Sequence, residues 1–178
     1  MALSPQDLAV VLKLCGYSQE QQRPPYSTIA FELSLSPSQV HTSVKRAQVS
    51  HLLHGPELGE RPNMSAVEEF LIHGVKYAFP AKHGEPTRGV PTSYAAEPLR
   101  GMIGRSSREL QPVWPYIKGN VQGIAFEPLY KYAPVAALRD PVLYEYLALV
   151  DAIRDGRTRE RKIAEELIVK RLRAGAHA

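Results

Sequence analysis

Paired cysteines, long apolar runs and nucleotide-binding glycine patterns are all missing from this sequence. One cysteine, Cys15, stands in 178 residues, so no internal disulfide can form and the chain fits a reducing compartment. No run of about 18 apolar residues occurs, so no transmembrane helix is expected. The start, "MALSPQDLAV", has neither a basic opening nor a long apolar centre. It predicts no signal peptide and a cytoplasmic location. Phosphate-loop and dinucleotide glycine patterns are lacking, and so is a nucleophile elbow. Glu68 and Glu69 are consecutive and diverge on a helix, so they are not a carboxylate pair for acid–base work. His51 and His54, three apart and near His41, have no cysteine to complete a zinc set, so no metal or cofactor is expected. No residue asks for an enzyme, and neither repeats nor low-complexity tracts occur.

What is there is ordinary globular composition, 44% hydrophobic and 22% charged. The length suits one compact domain, or a small domain with an appended one. The net charge of +4 is unevenly placed. Residues 1–100 hold nine Lys/Arg and nine Asp/Glu, and residues 101–178 hold thirteen against nine. The whole excess is therefore C-terminal, and a bulk "basic means DNA-binding" argument fails for the first hundred residues. Within that neutral part the charges segregate. "PSQVHTSVKRAQVSHLLH" (37–54) carries Lys45, Arg46 and three histidines with no acid. "GPELGERPNMSAVEEF" (55–70) carries four glutamates and one arginine. Such segregation creates a local field that the sum hides.

Punctuation marks the elements. Ser4, Pro5 and Gly16 bracket a helix whose stripe is Leu8, Val11, Leu12 and Cys15, with Cys15 read as a small core residue. A polar link, "QEQQRPP" (19–25), leads to a short helix over Ser27–Leu33, with Ile29, Ala30 and Leu33 inward. Ser34-Leu35-Ser36 is the turn. Ser36 caps a third helix, with Pro37 first, reaching about His54 and facing inward with Val40, Val44, Ala47 and Leu52. Ser65 and Glu68 read as a capping box for a fourth helix. "VKYAFP" (75–80) and "VPTSYA" (90–95) read as two strands joined by the loop "AKHGEPTRG". Residues 97–134 are loop-rich, with "VQGIAF" a possible strand and "PVWP" an extended anchor that buries Trp114. Asp140 and Pro141 open a helix striped by Leu143, Tyr146, Leu147 and Val150. Gly156 stops it, and "RTRERKIAEELIVKRL" forms an antiparallel partner striped by Ile163, Leu167, Ile168 and Leu172.

A helix-turn-helix needs a small residue inside its first helix, a residue that tolerates the turn, and an apolar lock in its second helix. Ala30, Ser34 and Val40 fill these places, and Leu35 plugs the turn. In "IAFELSLSPSQVHTSVKRA" the chain resembles bacterial winged helix-turn-helix transcriptional regulators of the broad MarR-like and GntR-like kind, over about residues 5–96. Ser34 stands where a turn glycine is frequent, and the segment in the wing position is long and rich in proline. The resemblance implies a mostly α fold with a small β-hairpin wing: a winged helix-turn-helix over 1–96, a connector over 97–134 and a C-terminal helical extension over 135–178. It implies sequence-specific binding of double-stranded DNA by a cytoplasmic regulator, expected to be a dimeric repressor on a palindromic site.

The residues that would touch DNA are Ser38, Gln39, His41, Thr42, Lys45 and Arg46 on the recognition helix, and Lys82 and Arg88 on the wing. Gln39, Thr42 and Arg46 form the expected outward stripe, and neither Gln39 nor Arg46 is expected to support the core. The apolar stripes of the C-terminal helices would be covered by residues 97–134 of the same chain or by a second copy of the chain, and the second copy is the expectation. The rival reading is an antitoxin-like or adaptor protein whose C-terminal part binds a protein partner, with "RDGRTRERK" (154–162) as a docking surface. A third is an enzyme with an unrecognised site in 97–134.

Overall fold

The computed structural model describes residues 2–17, 22–104 and 109–177, with side chains to 175. The expected polar link over 19–25 lies partly outside these residues. Eight helices and three short strands are described. Ser4 caps α1 (Pro5–Cys15) in a full capping box. Its Oγ accepts from the Asp7 N–H at 3.3 Å, and its own N–H donates to Asp7 Oδ2 at 2.7 Å. The expected single stripe understates this helix: every residue from Asp7 to Cys15 is buried, including Lys13. The reason is position, because α1 packs between α3 (Pro37–Val49) on one side and α7 (Pro141–Asp155) on the other.

α2 (Tyr26–Leu33) packs on α3 and on α6 (Ala133–Arg139), a helix the sequence reading missed. α4 (Met64–His73) begins two residues earlier than the expected Ser65 cap implies. Its cap is Asn63, whose side chain accepts from the Ala66 N–H at 3.3 Å. Glu68, expected in that cap, instead pairs with Arg173 of α8 (Thr158–His177) at 2.9 Å.

The expected hairpin over 75–95 does not form. "VKYA" is a short helix, α5 (Val75–Ala78), which buries Val75 and packs on α7. Residues 83–91 are a single strand, β1 (His83–Pro91), and 93–95 make a 3-10 turn. The strand partners come from later in the chain: β2 (Pro112–Pro115) and β3 (Val121–Phe126). β1 runs antiparallel to both, with Val90 opposite Trp114 and Thr87 opposite Gly123. β2 and β3 run parallel, with Val113 opposite Ala125, so the three strands close on one another. A Cβ at Gly89 would collide with the Trp114 carbonyl, so this close pairing requires glycine there.

Trp114 is buried as expected and explains how the strands join the helices. Its Nε1 donates to Asp151 Oδ2 of α7 at 2.7 Å, and Thr92 Oγ1 donates to the same oxygen at 2.7 Å. Arg154 donates to Asp151 Oδ1 at 2.8 Å and to the Phe79 carbonyl at 2.8 Å. One hydrophobic core runs from Leu8 through Trp114 to Leu172. The α7 stripe of Leu143, Tyr146, Leu147 and Val150 is wholly inside it, as are Ile168 and Leu172 of α8, while Ile163 and Leu167 are half-buried. The chain itself thus buries the α7 stripe and, on the α8 stripe, Ile168 and Leu172.

Candidate nucleic-acid interface

The helix-turn-helix is built by local chemistry. Pro24 and Pro25 hold the entry extended, and Ile29, Ala30 and Leu33 bury one face of α2. Ser34 then takes the left-handed conformation, φ 55° and ψ 36°. That reversal lets the Leu35 N–H reach back to the Ala30 carbonyl at 2.8 Å, which closes α2 and aims the chain at α3. Ser36 caps α3 reciprocally with Gln39. The Gln39 N–H donates to Ser36 Oγ at 3.2 Å, and the Ser36 N–H donates to Gln39 Oε1 at 2.9 Å.

α3 ends at Val49, earlier than expected. Ser50 closes it, and His51 takes a left-handed φ of 59°. His51 and His54 are therefore not neighbours on one helix. Val40, Ser43, Val44 and Ala47 face the core. At 100° per residue the opposite line is Ser38, Thr42, Lys45 and Val49, and Val49 is 58% exposed. Gln39 and Arg46 lie on the flank towards α1, and His41 and Gln48 on the other, so the expected outward stripe is rotated. Gln39 is engaged in the cap. The Thr42 hydroxyl donates to the Ser38 carbonyl at 3.0 Å. Lys45 is exposed. Arg46 turns back to the core: its Nε lies 3.5 Å from Oδ2 of Asp7, whose side chain has no exposure, so Arg46 does support the fold.

A narrow hairpin follows α3, ahead of the place expected for a wing. Leu53 pairs with Pro62, the His54 N–H donates to the Arg61 carbonyl at 2.8 Å, and the Asn63 N–H donates to the Leu52 carbonyl at 2.9 Å. Its tip, "GPELGE", turns through Gly59 at φ 69° and Glu60 at φ 56°. The tip is strapped down. Glu60 accepts from the Tyr26 hydroxyl at 2.8 Å and pairs with Arg23 at 2.9 Å. Burial, and then the Glu60 carboxylate, push the Tyr26 phenol up to about 12. The His41 ring stands edge-on to Tyr26 at 5.7 Å. The hairpin thus belongs to the same rigid surface as α3, but it brings acids, Glu57 and Glu60, with one exposed Arg61.

Lys82 and Arg88 lie elsewhere. Lys82 precedes β1 and sits 3.4 Å from Glu127, while Arg88 is on β1 opposite Gln122, next to the 116–119 turn. Six residues of extended chain put them about 20 Å apart, so they do not form one tip. Sequence reasoning missed Asp7, Tyr26, Glu60 and Arg23. The pattern Ser4-x-x-Asp7 did signal a cap, but nothing local pointed Asp7 at Arg46 or Tyr26 at Glu60.

Among the described residues no three of His, Cys, Asp and Glu gather as a metal site, and no helix is long and apolar enough to cross a membrane. Burial pushes the Cys15 thiol up to about 12, which makes it a core residue and a poor nucleophile. Comparison with protein-family models, curated proteins and solved structures found no match to this chain.

Proposed function

We propose that this chain binds double-stranded DNA through α3 and acts as a transcriptional regulator. The observation that supports the reading is the presentation of α3. It is capped at its N-terminus and locked by Val40, Val44 and Ala47. It leads outward with Ser38, Thr42, Lys45 and Val49. A major groove admits one such helix. Hydroxyls there reach base edges or phosphates, a lysine holds phosphate, and a valine packs on a thymine methyl. His41 and Gln48 flank the helix towards the strapped hairpin. Lys82 and Arg88 are left out of this surface. With one exposed lysine on the stripe and acids on the hairpin tip, the electrostatic term is small, so affinity relies on fit. A pair of copies on a palindrome is the form in which such a helix gains specificity.

The test is selection from a random duplex pool, followed by fluorescence anisotropy with the enriched sequence at low salt. Enrichment of a defined sequence, lost in Lys45→Ala at unchanged helical signal, is expected. No binding to any duplex at low salt would overturn the reading. A second reading, an adaptor, is favoured by one feature. The groove between α4 and α8 has a volume of about 750 Å³ and is lined by Ile72 and Val169 and by Glu69, Glu165 and Glu166, with His73 and the Glu68–Arg173 pair beside them, so acids outnumber bases along it. That chemistry fits a basic amphipathic helix.

A further inference from the structure

Asp7 is the least expected residue of the α1–α3 junction. Its carboxylate has no exposure, yet it lies on the first turn of a helix, where such side chains ordinarily face water. Oδ2 accepts the Ser4 N–H at 2.7 Å and faces Arg46 Nε at 3.5 Å. Oδ1 has no hydrogen-bond partner, and neither do Arg46 Nε and Ser43 Oγ, although all three atoms are buried. A capping box alone does not require this, because a capping acid works equally well in solvent. An ion held without exposure requires a counter-charge, and Arg46 supplies it. Arg46 keeps 30% of its side chain exposed. Its Nε edge faces inward to Asp7, and the rest of the guanidinium fork is free to face outward, on the flank of α3 next to Ser38 and Thr42.

We infer that Asp7 is a positioning residue: it holds Arg46 by the Nε edge so that the two terminal nitrogens meet a backbone phosphate beside the groove entered by α3. Arg46 is then a phosphate clamp and not a base reader. The inference rests on the DNA-binding reading and deepens it. Guanidinium suits the task because its planar fork offers two separate edges, which an ammonium does not.

The experiment is a double-mutant cycle with Asp7→Asn and Arg46→Ala on the full chain. Dissociation constants are measured for the selected duplex and an unrelated duplex across a salt series. Asp7→Asn keeps the oxygen that accepts the Ser4 N–H, so the cap survives, and thermal melts of all four proteins identify any that fail to fold. Arg46→Ala should weaken both duplexes alike and flatten the slope of log affinity against log salt by roughly 0.9, the value of one lost phosphate contact. Asp7→Asn should weaken binding about threefold to tenfold, within the range of coupling between touching residues, and should add nothing in the Arg46→Ala background. Arg46→Lys, which retains the charge, should restore the salt slope but remain insensitive to Asp7→Asn.

Additive losses, or an unchanged slope in Arg46→Ala, would overturn the positioning role while leaving DNA binding standing. Loss confined to the selected duplex makes Arg46 a base reader and overturns the clamp. Arg46→Ala leaves Asp7 without its counter-charge, so if that variant does not fold, the salt slope is read from Asp7→Asn with Arg46→Ala against Asp7→Asn alone, where no buried charge is stranded; an unchanged slope there overturns the clamp. A wild-type protein that binds neither duplex removes the DNA reading itself, and the clamp with it.

Discussion

Asp151 and Asp7 are both buried carboxylates, and the fold treats them in opposite ways. Asp151 on α7 is closed on every side: Trp114, Thr92 and Arg154 donate to it at 2.7, 2.7 and 2.8 Å. Burial raises its pKa, and Arg154, Thr92 and Trp114 pull in the other direction. Asp7 on α1 is left open, with one backbone donor, an arginine at 3.5 Å and one oxygen unmatched. The closed network joins strands to helices and serves no surface. The open one lies under the exposed face of α3. A buried charge that is fully satisfied rigidifies; one that is half satisfied leaves its partner able to serve a second contact.

The comparison can be broken by removing each acid. Asp151→Ala should cost about 3–5 kcal/mol, because Arg154 would be left buried and uncompensated. A urea titration checks this, and a loss below that of Asp7→Asn would reverse the comparison. Trp114→Phe keeps the ring but removes one donor to Asp151, and should cost about 1–3 kcal/mol. Asp7→Asn keeps the cap and relieves a poorly matched charge, so its cost should be about 1 kcal/mol or less. Lys45→Ala should leave the melting curve within about 0.5 kcal/mol of the parent, since nothing packs on it, while weakening any duplex the protein binds.

A third polar junction sharpens the contrast by its pH dependence. Lys13 of α1 is buried, with Nζ 2.6 Å from Asp140, the cap of α7, and 2.8 Å from Glu32 of α2. Burial alone would lower the lysine pKa, but hydrogen bonds to Asp140 and Glu32 outweigh it and raise it. For Glu32 burial works upward, and the hydrogen bonds from Lys13 and Tyr17 win and lower it. A depressed carboxylate stabilises above its unfolded value and stops doing so as pH falls through the folded one. A raised lysine stabilises below its unfolded value and stops as pH rises through the folded one. The wild type should therefore lose stability as pH falls below 4.5, the ordinary value for Glu32. Lys13→Met should lose much less there, with Glu32 half-exposed and the effect correspondingly modest. Parallel melting curves for the two proteins across pH 3 to 7 would count against the junction.

The parts of the fold that were legible had local punctuation. Ser4-Pro5, Ser36-Pro37 and Asp140-Pro141 each combine a capping side chain with a proline that tolerates the first helical turn, and each begins a helix where read. "VKYAFP" misled because Val75, Tyr77 and Phe79 alternate as a strand would; one buried contact, Val75 under α7, made it helix instead. β1 was hidden by its own glycines and prolines and exists only through partners at 112–126. The direction of α3 was legible to within one flank. What shifted it was the burial of Ser43 beside Val40, Val44 and Ala47, which turns Gln39 and Arg46 to the flank, where the cap and Asp7 hold them.

The Lys13 junction also has a consequence in time. Its two ends, Lys13 and Asp140, are 127 residues apart, and α1 is buried on one side by α7. During synthesis α1 emerges long before the surface that completes its burial. At roughly 5–20 residues per second that wait is on the order of ten seconds. Through it the apolar run Leu8–Leu12 and the Lys13 ammonium both stand without the surface that later covers them on that side.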